Sequence, residues 1–370
     1  MTTRLGYWVG FSKVPGIGPA RLRNLLDYYG DIELAWQANP GELRAIGLDR
    51  RSAENLVKAK QDLDLDAELE KLEKLQVTVL TWESDDYPRL LKNIYNPPFV
   101  LYIRGQLTPQ DDWALAVVGT RRATVYGKEC TRTLVRGLVD NGLTVVSGLA
   151  YGIDTEAHKA TVAAGGRTLA VLGSGVDIIY PSENKKLSQA IINSGALISE
   201  YPLGTKPEGG NFPSRNRIIS GLSLGTLVVE GAIQSGARIT ADNALEQGRD
   251  VFAVPGPILR RSSAGPNYLI QNGAKLVTHV NDILEELNLT MIAQHTEARA
   301  IIPDNEIEAM LLEQLSTEPL HIDELGQVTN LPAPDIASAL TLMELKGMVR
   351  QVGAMNYVIA RETSARYIIE

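Results

Sequence analysis

The chain has 370 residues, 44% of them hydrophobic and 22% charged, the composition of an ordinary soluble protein with two or three domains. A formal net charge of -8 argues, taken over the whole length, against nucleic acid as a partner. A lone cysteine, Cys130, rules out an internal disulfide and suits a reducing cytoplasm; four histidines without metal-ligand spacing exclude a zinc site, and no uncharged apolar run is long enough to span a membrane.

The first 75 residues predict a helical domain of the helix-hairpin-helix or SAM-like kind. "VPGIGPARLRNLLDYYG" carries the apolar-Pro-Gly-apolar-Gly signature of a hairpin turn, and "LRAIGLDRRSAENLVKAK" is a weaker second copy. Glycines there let two helices approach and leave backbone N–H groups free for a phosphate, or the bundle serves packing and protein contacts alone. Residues 76–112 read as a connecting segment with short strands and a "NPP" turn.

From residue 113 to 290 the pattern becomes α/β. Apolar runs recur as "ALAVVG", "LTVVSG", "TLAVLGSG", "ALISEYP", "GTLVVEG" and "DVFAVPG", with helical stretches between them that close on glycine. Near-continuous apolar strands alternating with helices predict a mostly parallel, Rossmann-like sheet covered on both faces. Between Trp113 and Val280 there are 17 Lys and Arg against 12 Asp and Glu, a net of +5, and the rest of the chain holds 19 against 32. A mildly basic middle between acidic flanks can bind anions, or it is ordinary scatter.

After a hinge-like stretch near 293–305, residues 303–360 predict a winged helix: three helices followed by a two-stranded wing. The third helix would be the groove reader of a DNA-binding winged helix, yet it carries Asp335, Glu344 and Lys346 and no arginine. A protein-contact role therefore suits it better than reading duplex sequence.

Glycine-bearing turns follow three strands, at Gly119-Thr120-Arg121-Arg122, Ser147-Gly148 and Gly173-Ser174-Gly175. Such turns share one edge of an open α/β sheet, where bare amides and helix N-termini favour an anion. "SRNR" adds Arg215, Asn216 and Arg217, read as two guanidinium forks and an amide gathered at one point. Lys185 and Lys186 lie past the third strand, either along the path of a nucleic-acid strand or on a solvated helix face. Tyr180, Tyr201 and Phe212 come shortly after strands and either stack bases or pack the core. Asp154 and His158, one helical turn apart, would form a buried hydrogen-bonded pair supporting the second turn. Glu230, at the end of the fifth strand, would brace Arg215 or Arg217, or act as a general base. Neither G-x-G-x-x-G nor G-x-x-x-x-G-K-[ST] is present, so no nucleotide cofactor is expected.

Together, "AVVGTRRATVYG", "VVSGLAYGIDTEAHKA", "GGRTLAVLGSGVDIIYPSENKKL", "LISEYPLGTKP", "NFPSRNRIISGLSLGTLVVEGA", "SGARITADNALEQGRDVFAVPG" and "GPNYLIQNGAKLV" resemble the DNA-processing protein A family (DprA, also called Smf). The resemblance runs through about 113–280, and the flanking domains match the family's three-part form. It implies a non-enzymatic, cytoplasmic homodimer that binds single-stranded DNA without sequence preference, protects incoming strands in natural transformation and loads the recombinase RecA. It further implies a pocket of Gly119, Thr120, Arg121, Ser147, Gly148, Lys185, Arg215 and Arg217, with Thr120 where the family usually has serine. A second resemblance, to lysine-decarboxylase-like nucleotide hydrolases, rests on "LGTLVVE". That match has one residue too many and lacks the preceding Pro-Gly-Gly.

Overall fold

The computed structural model describes residues 3–289, 306–315, 320–329, 331–345, 349–351 and 355–359. The chain divides into two compact units, Met1–Leu287 and Asn288–Glu370.

The first unit opens with six helices: α1 (Arg4–Ser12), α2 (Pro19–Tyr29), α3 (Ile32–Gln37), α4 (Pro40–Ala45), α5 (Arg50–Asp62) and α6 (Leu65–Lys74). The two hairpin turns lie between α1 and α2 and between α4 and α5, at Gly16 and Gly47, both with positive φ. They are tied together by Arg21, which donates to the Gly16 carbonyl and the Ser52 hydroxyl and pairs with Asp49 at 2.6 Å.

The sheet has nine strands. Two of them are the short strands expected in the connecting segment: β1 (Val77–Thr81) and, after the short α7 (Arg89–Lys92), β2 (Val100–Gly105). They pair antiparallel with each other and extend one side of the sheet. The six apolar runs become parallel strands, each followed by its helix. They are β3 (Ala114–Val118), α8 (Val125–Asp140), β4 (Thr144–Ser147), α9 (Ile153–Ala163), β5 (Thr168–Val171), α10 (Lys185–Ser194), β6 (Ala196–Ser199), α11 (Asn211–Gly221), β7 (Gly225–Val228), α12 (Gly236–Glu246) and β8 (Asp250–Ala253). The unit closes with α13 (Ala264–Gln271), β9 (Lys275–Leu276) and α14 (Val280–Glu286). The strand order is β1-β2-β6-β5-β4-β3-β7-β8-β9. Successive strands step outward from β3 on one side, and the chain then returns to place β7 on its other side. The crevice beyond the carboxyl ends of β3 and β7 is thus the switch point at which open α/β sheets bind ligands.

Side-chain alternation along the strands assigns the two faces. Ala116, Val118, Val171, Ile198 and Val228 share one core with Ile218 and Ile219 of α11 and Ala241 of α12. Tyr102, Ala170 and Leu197 point the other way and share a core with Trp8, Phe11 and Leu56 of the N-terminal helices. Those helices are therefore continuous with the sheet's packing. Burying that many large apolar side chains, at about 1.5–3 kcal/mol each, fixes the strand ends that carry the site.

In the second unit, α15 (Glu306–Gln314), α16 (Ile322–Thr329) and α17 (Ala333–Leu345) pack around Leu311, Leu325, Ile336, Leu340 and Met343. β10 (Leu320–His321), β11 (Val349–Gln351) and β12 (Asn356–Ile359) form an antiparallel sheet in the order β10-β12-β11. This is a winged helix whose sheet has one strand more than the expected wing. Asp335 and Glu344 lie on α17, whereas Lys346 and the hinge-like stretch 293–305 fall outside the described residues. No helix among the described residues is long and apolar enough to cross a membrane.

Candidate nucleic-acid interface

A cleft of about 380 Å³ opens at the switch point, between the turn after β3 and the N-terminal ends of α11 and α12. Gly119, Thr120 and Arg121 form one wall; Phe212, Arg215 and Asn216 form the other. The second trio stands at i, i+3 and i+4 on α11, the spacing that aligns side chains along one helix face. The first turn of α12, capped by Ser235, also borders the cleft and adds the positive end of a helix dipole.

Arg121 is exposed, and its guanidinium carbon lies 5.3 Å from the centre of the Phe212 ring. Tyr180, 42% exposed, tilts against the same ring at 5.7 Å. A planar cation and two aromatic rings therefore stand together at the mouth, the equipment for stacking a base and holding its phosphate. Lys185 and Lys186 are exposed at the start of α10. The preceding Asn184 anchors that turn to the turn after β4 by donating to the Leu149 carbonyl at 2.9 Å.

Beneath the mouth the arrangement departs from expectation. Arg215 is only 3% exposed. Its Nη1 donates to the carbonyls of Gly148 (2.8 Å) and Val171, and its Nε is buried with no partner. Burial draws this guanidinium down to about 10, a value at which it stays charged at neutral pH. Asp154 faces it. The carboxylate accepts from the Gly148 amide at 3.2 Å, and the amides of Ala150 and Gly119 also favour its charged form. The nest of bare amides expected to seat a ligand's anion is thus filled by the chain's own carboxylate. Burial nevertheless raises Asp154 above the usual carboxylate range, with Arg215 opposing that rise.

Four further expectations are corrected. His158 does not pair with Asp154. Its Nδ1 shares a 2.8 Å hydrogen bond with the Thr168 hydroxyl, and burial holds the imidazole down at about 3. Ser147 is fully buried, and its hydroxyl donates to the Val117 carbonyl at 2.6 Å, so its side chain supports the β4 turn. Arg217 turns away from the cleft, because residues two apart on a helix point about 200° apart. It forms a two-pronged pair with Glu200, 2.7 Å on each prong, and donates to the Asn96 carbonyl. Glu230 braces neither arginine. It accepts from the Thr124 amide and hydroxyl (2.9 and 2.7 Å) and from the Ser262 hydroxyl (3.2 Å), fixing the start of α8. Tyr201 is half-buried; its hydroxyl donates to the Asn211 carbonyl, and burial pushes it up to about 12. Asn216, also buried, donates to the Gly236 carbonyl and joins α11 to α12.

Residues 78–288 match the family DNA recombination-mediator protein A, and residues 295–355 match the DprA winged helix domain. The chain belongs to the DprA/Smf family. It is 36% identical to Protein Smf of Synechocystis sp. over 95% of this chain and 98% of that one. With the DNA processing protein DprA of Bacillus subtilis it shares 46% identity over 57% of this chain and 71% of that one. The crystal structure of DprA from Streptococcus pneumoniae superposes with a TM-score of 0.68 at 39% identity, covering 76% of this chain and 97% of that one. A Helicobacter pylori DprA structure, described for its single-stranded DNA binding mode, superposes at 0.52 with 31% identity over 58% and 97% of the two chains.

Proposed function

We propose that this chain binds single-stranded DNA without sequence preference, protects incoming strands and loads RecA onto them in natural transformation. In this reading it works in the cytoplasm as a homodimer joined through the α/β core. The observation that carries the proposal is the Arg121 guanidinium over Phe212, flanked by Tyr180, at the switch point of the sheet. Stacking of this kind tolerates any base, contributing on the order of 1–3 kcal/mol per base. The Helicobacter pylori relative named for binding single strands supports the same assignment. We further infer that the chain is not a hydrolase, since both oxygens of Glu230 are engaged in holding Thr124 and Ser262.

The test is competition among single strand, duplex and RNA for a labelled oligo-dT over a salt series. Single strand should compete best, with a logarithmic salt slope of about 0.7 for each phosphate held. Arg121→Ala should weaken binding by about tenfold, as loss of one stacked cation–phosphate contact implies. Equal competition by duplex, or unchanged affinity in Arg121→Ala, would remove the strand-binding reading. Loading is tested separately: RecA should assemble faster on single strands when this chain is present.

A further inference from the structure

The loop after β8 is a second feature of the same sheet edge. It reads Pro255-Gly-Pro-Ile-Leu-Arg-Arg261, and Ile258 and Leu259 are 89% and 95% exposed. Two large apolar side chains exposed side by side make a contiguous patch of the kind found at interaction sites. Nor is the loop slack. The Arg260 amide donates to the Pro257 carbonyl at 3.0 Å, closing a turn with Ile258 and Leu259 at its two central positions. Asn267 clamps Gly256 by its amide and its carbonyl (3.1 and 2.9 Å), and Gly231 donates to the Ser262 carbonyl at 2.7 Å. Two prolines limit the turn further. The two apolar side chains are thus held out on a braced support.

The turn also stands next to the cleft's first wall. Glu230 accepts from Ser262 on one side and from Thr124 on the other, only three residues beyond Arg121. The Tyr126 hydroxyl donates to the Pro255 carbonyl at 2.8 Å. The turn carries two arginines, and Arg122 lies two residues before Thr124 on the neighbouring wall. Arg122, Arg260 and Arg261 are exposed, and no carboxylate among the described residues pairs with them. Unpaired guanidinium groups around a bare apolar tip complement an anionic polymer with apolar faces, which is the chemistry of a single nucleic-acid strand.

We propose that the Pro257–Arg261 turn is a second strand-contacting element. Ile258 and Leu259 wedge between successive bases of the strand leaving the Arg121–Phe212 mouth, and Arg260 and Arg261 hold the flanking phosphates. The proposal rests on the strand-binding reading above and extends it along the sheet edge, past Arg122.

The experiment uses the full chain, with Ile258→Ser/Leu259→Ser and Arg260→Ala/Arg261→Ala as paired variants. All four side chains are exposed, so both variants should unfold as the wild type does. Anisotropy is read with oligo-dT of increasing length, and 2-aminopurine placed along the strand reports unstacking. Short oligomers that fill only the mouth should bind both variants as they bind the wild type. Longer ones should lose about tenfold in affinity, as expected for one or two lost base contacts. Removing both arginines should lower the salt slope by about 1.4, from two phosphates at 0.7 each. The 2-aminopurine signal of wild type should rise at one position along the strand and stay flat in the Ser variant. Wild-type affinity and slope for long oligomers in both variants would overturn the proposal. So would unchanged DNA binding with a loss of self-association in sedimentation, which would make the tip a contact between copies. If Arg121→Ala weakens binding while the loop variants do not, only the wedge fails. If the wild type binds no single strand, both readings fail together.

Discussion

Replacing Arg215 by alanine should destabilise the first unit rather than merely empty a binding site. The side chain is 3% exposed, donates to the carbonyls of Gly148 and Val171, and opposes the rise that burial imposes on the Asp154 carboxyl. Truncation strands two buried acceptors. Each buried acceptor left without its donor costs about 1–3 kcal/mol, so the loss is about 2–6 kcal/mol. For a unit of this size that corresponds to a fall in Tm on the order of 10 °C. Arg121, by contrast, is exposed and has no ion-pair partner, so Arg121→Ala should change stability by no more than about 0.5 kcal/mol while weakening strand binding. Tryptophan fluorescence suits the measurement, since all four tryptophans, Trp8, Trp36, Trp82 and Trp113, lie in the first unit. Its thermal transition reports that unit without interference from the winged helix. Arg215→Ala melting with the wild type while losing single-strand affinity would refute the reasoning, and would mean that the guanidinium serves the ligand and not Asp154.

Three more outcomes follow from the same contacts. Gly152 has φ +82°, and a Cβ there would collide with the Thr120 carbonyl. Gly152→Ala should therefore cost about 2 kcal/mol or more in thermal or urea unfolding and displace the Arg121 turn, weakening oligo-dT binding as well. Glu200→Gln breaks the Arg217 pair away from the cleft, so it should lose about 2 kcal/mol of stability and leave oligo-dT affinity unchanged in anisotropy. His158 is held at about 3 against an ordinary 6.5, so only the unfolded chain takes up a proton just below pH 6.5. Stability present above 6.5 should fall as pH drops toward 3, by about 1.4 kcal/mol per pH unit. Asp154, raised by burial, acts in the opposite sense from the ordinary carboxylate range upward, its stabilisation being lost as pH rises. The slope is best read by urea unfolding just below 6.5, and His158→Asn should flatten it.

The parallel strands were legible because burial on both faces requires unbroken apolar runs, and all six runs became strands β3 to β8. The short strands β1 and β2 were legible as strands, but their place at the edge of the main sheet was not, because the pairing of β2 is with β6, far along the chain. At the site, residue types were readable and directions were not. Arg215 and Arg217 look equivalent in "SRNR", yet α11 begins at Asn211, and its turn sends one inward and the other to Glu200. Asp154 and His158 share a helix face, so a pair between them was the local reading. The partner that decides for Asp154 is Arg215, more than sixty residues further on, and only the packed sheet brings the two together.

That burial bears on how the mouth can grip a strand at all. A chain with net charge -8 cannot rely on long-range attraction, and of the two guanidiniums nearest the cleft one is buried and engaged with the Gly148 and Val171 carbonyls. The inner pair acts instead as preorganisation. Arg215 lies 6.0 Å from the Phe212 ring and one helical turn beneath it, so anchoring Arg215 to Gly148 and Val171 fixes the ring on which Arg121 rests. A platform already held in place loses little entropy when a base stacks on it, and that saving goes into affinity. If the chain binds single strands as proposed, few phosphates need be held, the salt dependence should be shallow, and a dimer carrying two such mouths would multiply a modest single contact through effective concentration. A steep salt slope with unaltered affinity in Phe212→Ala would invert this account and place the binding energy in charge rather than in the platform.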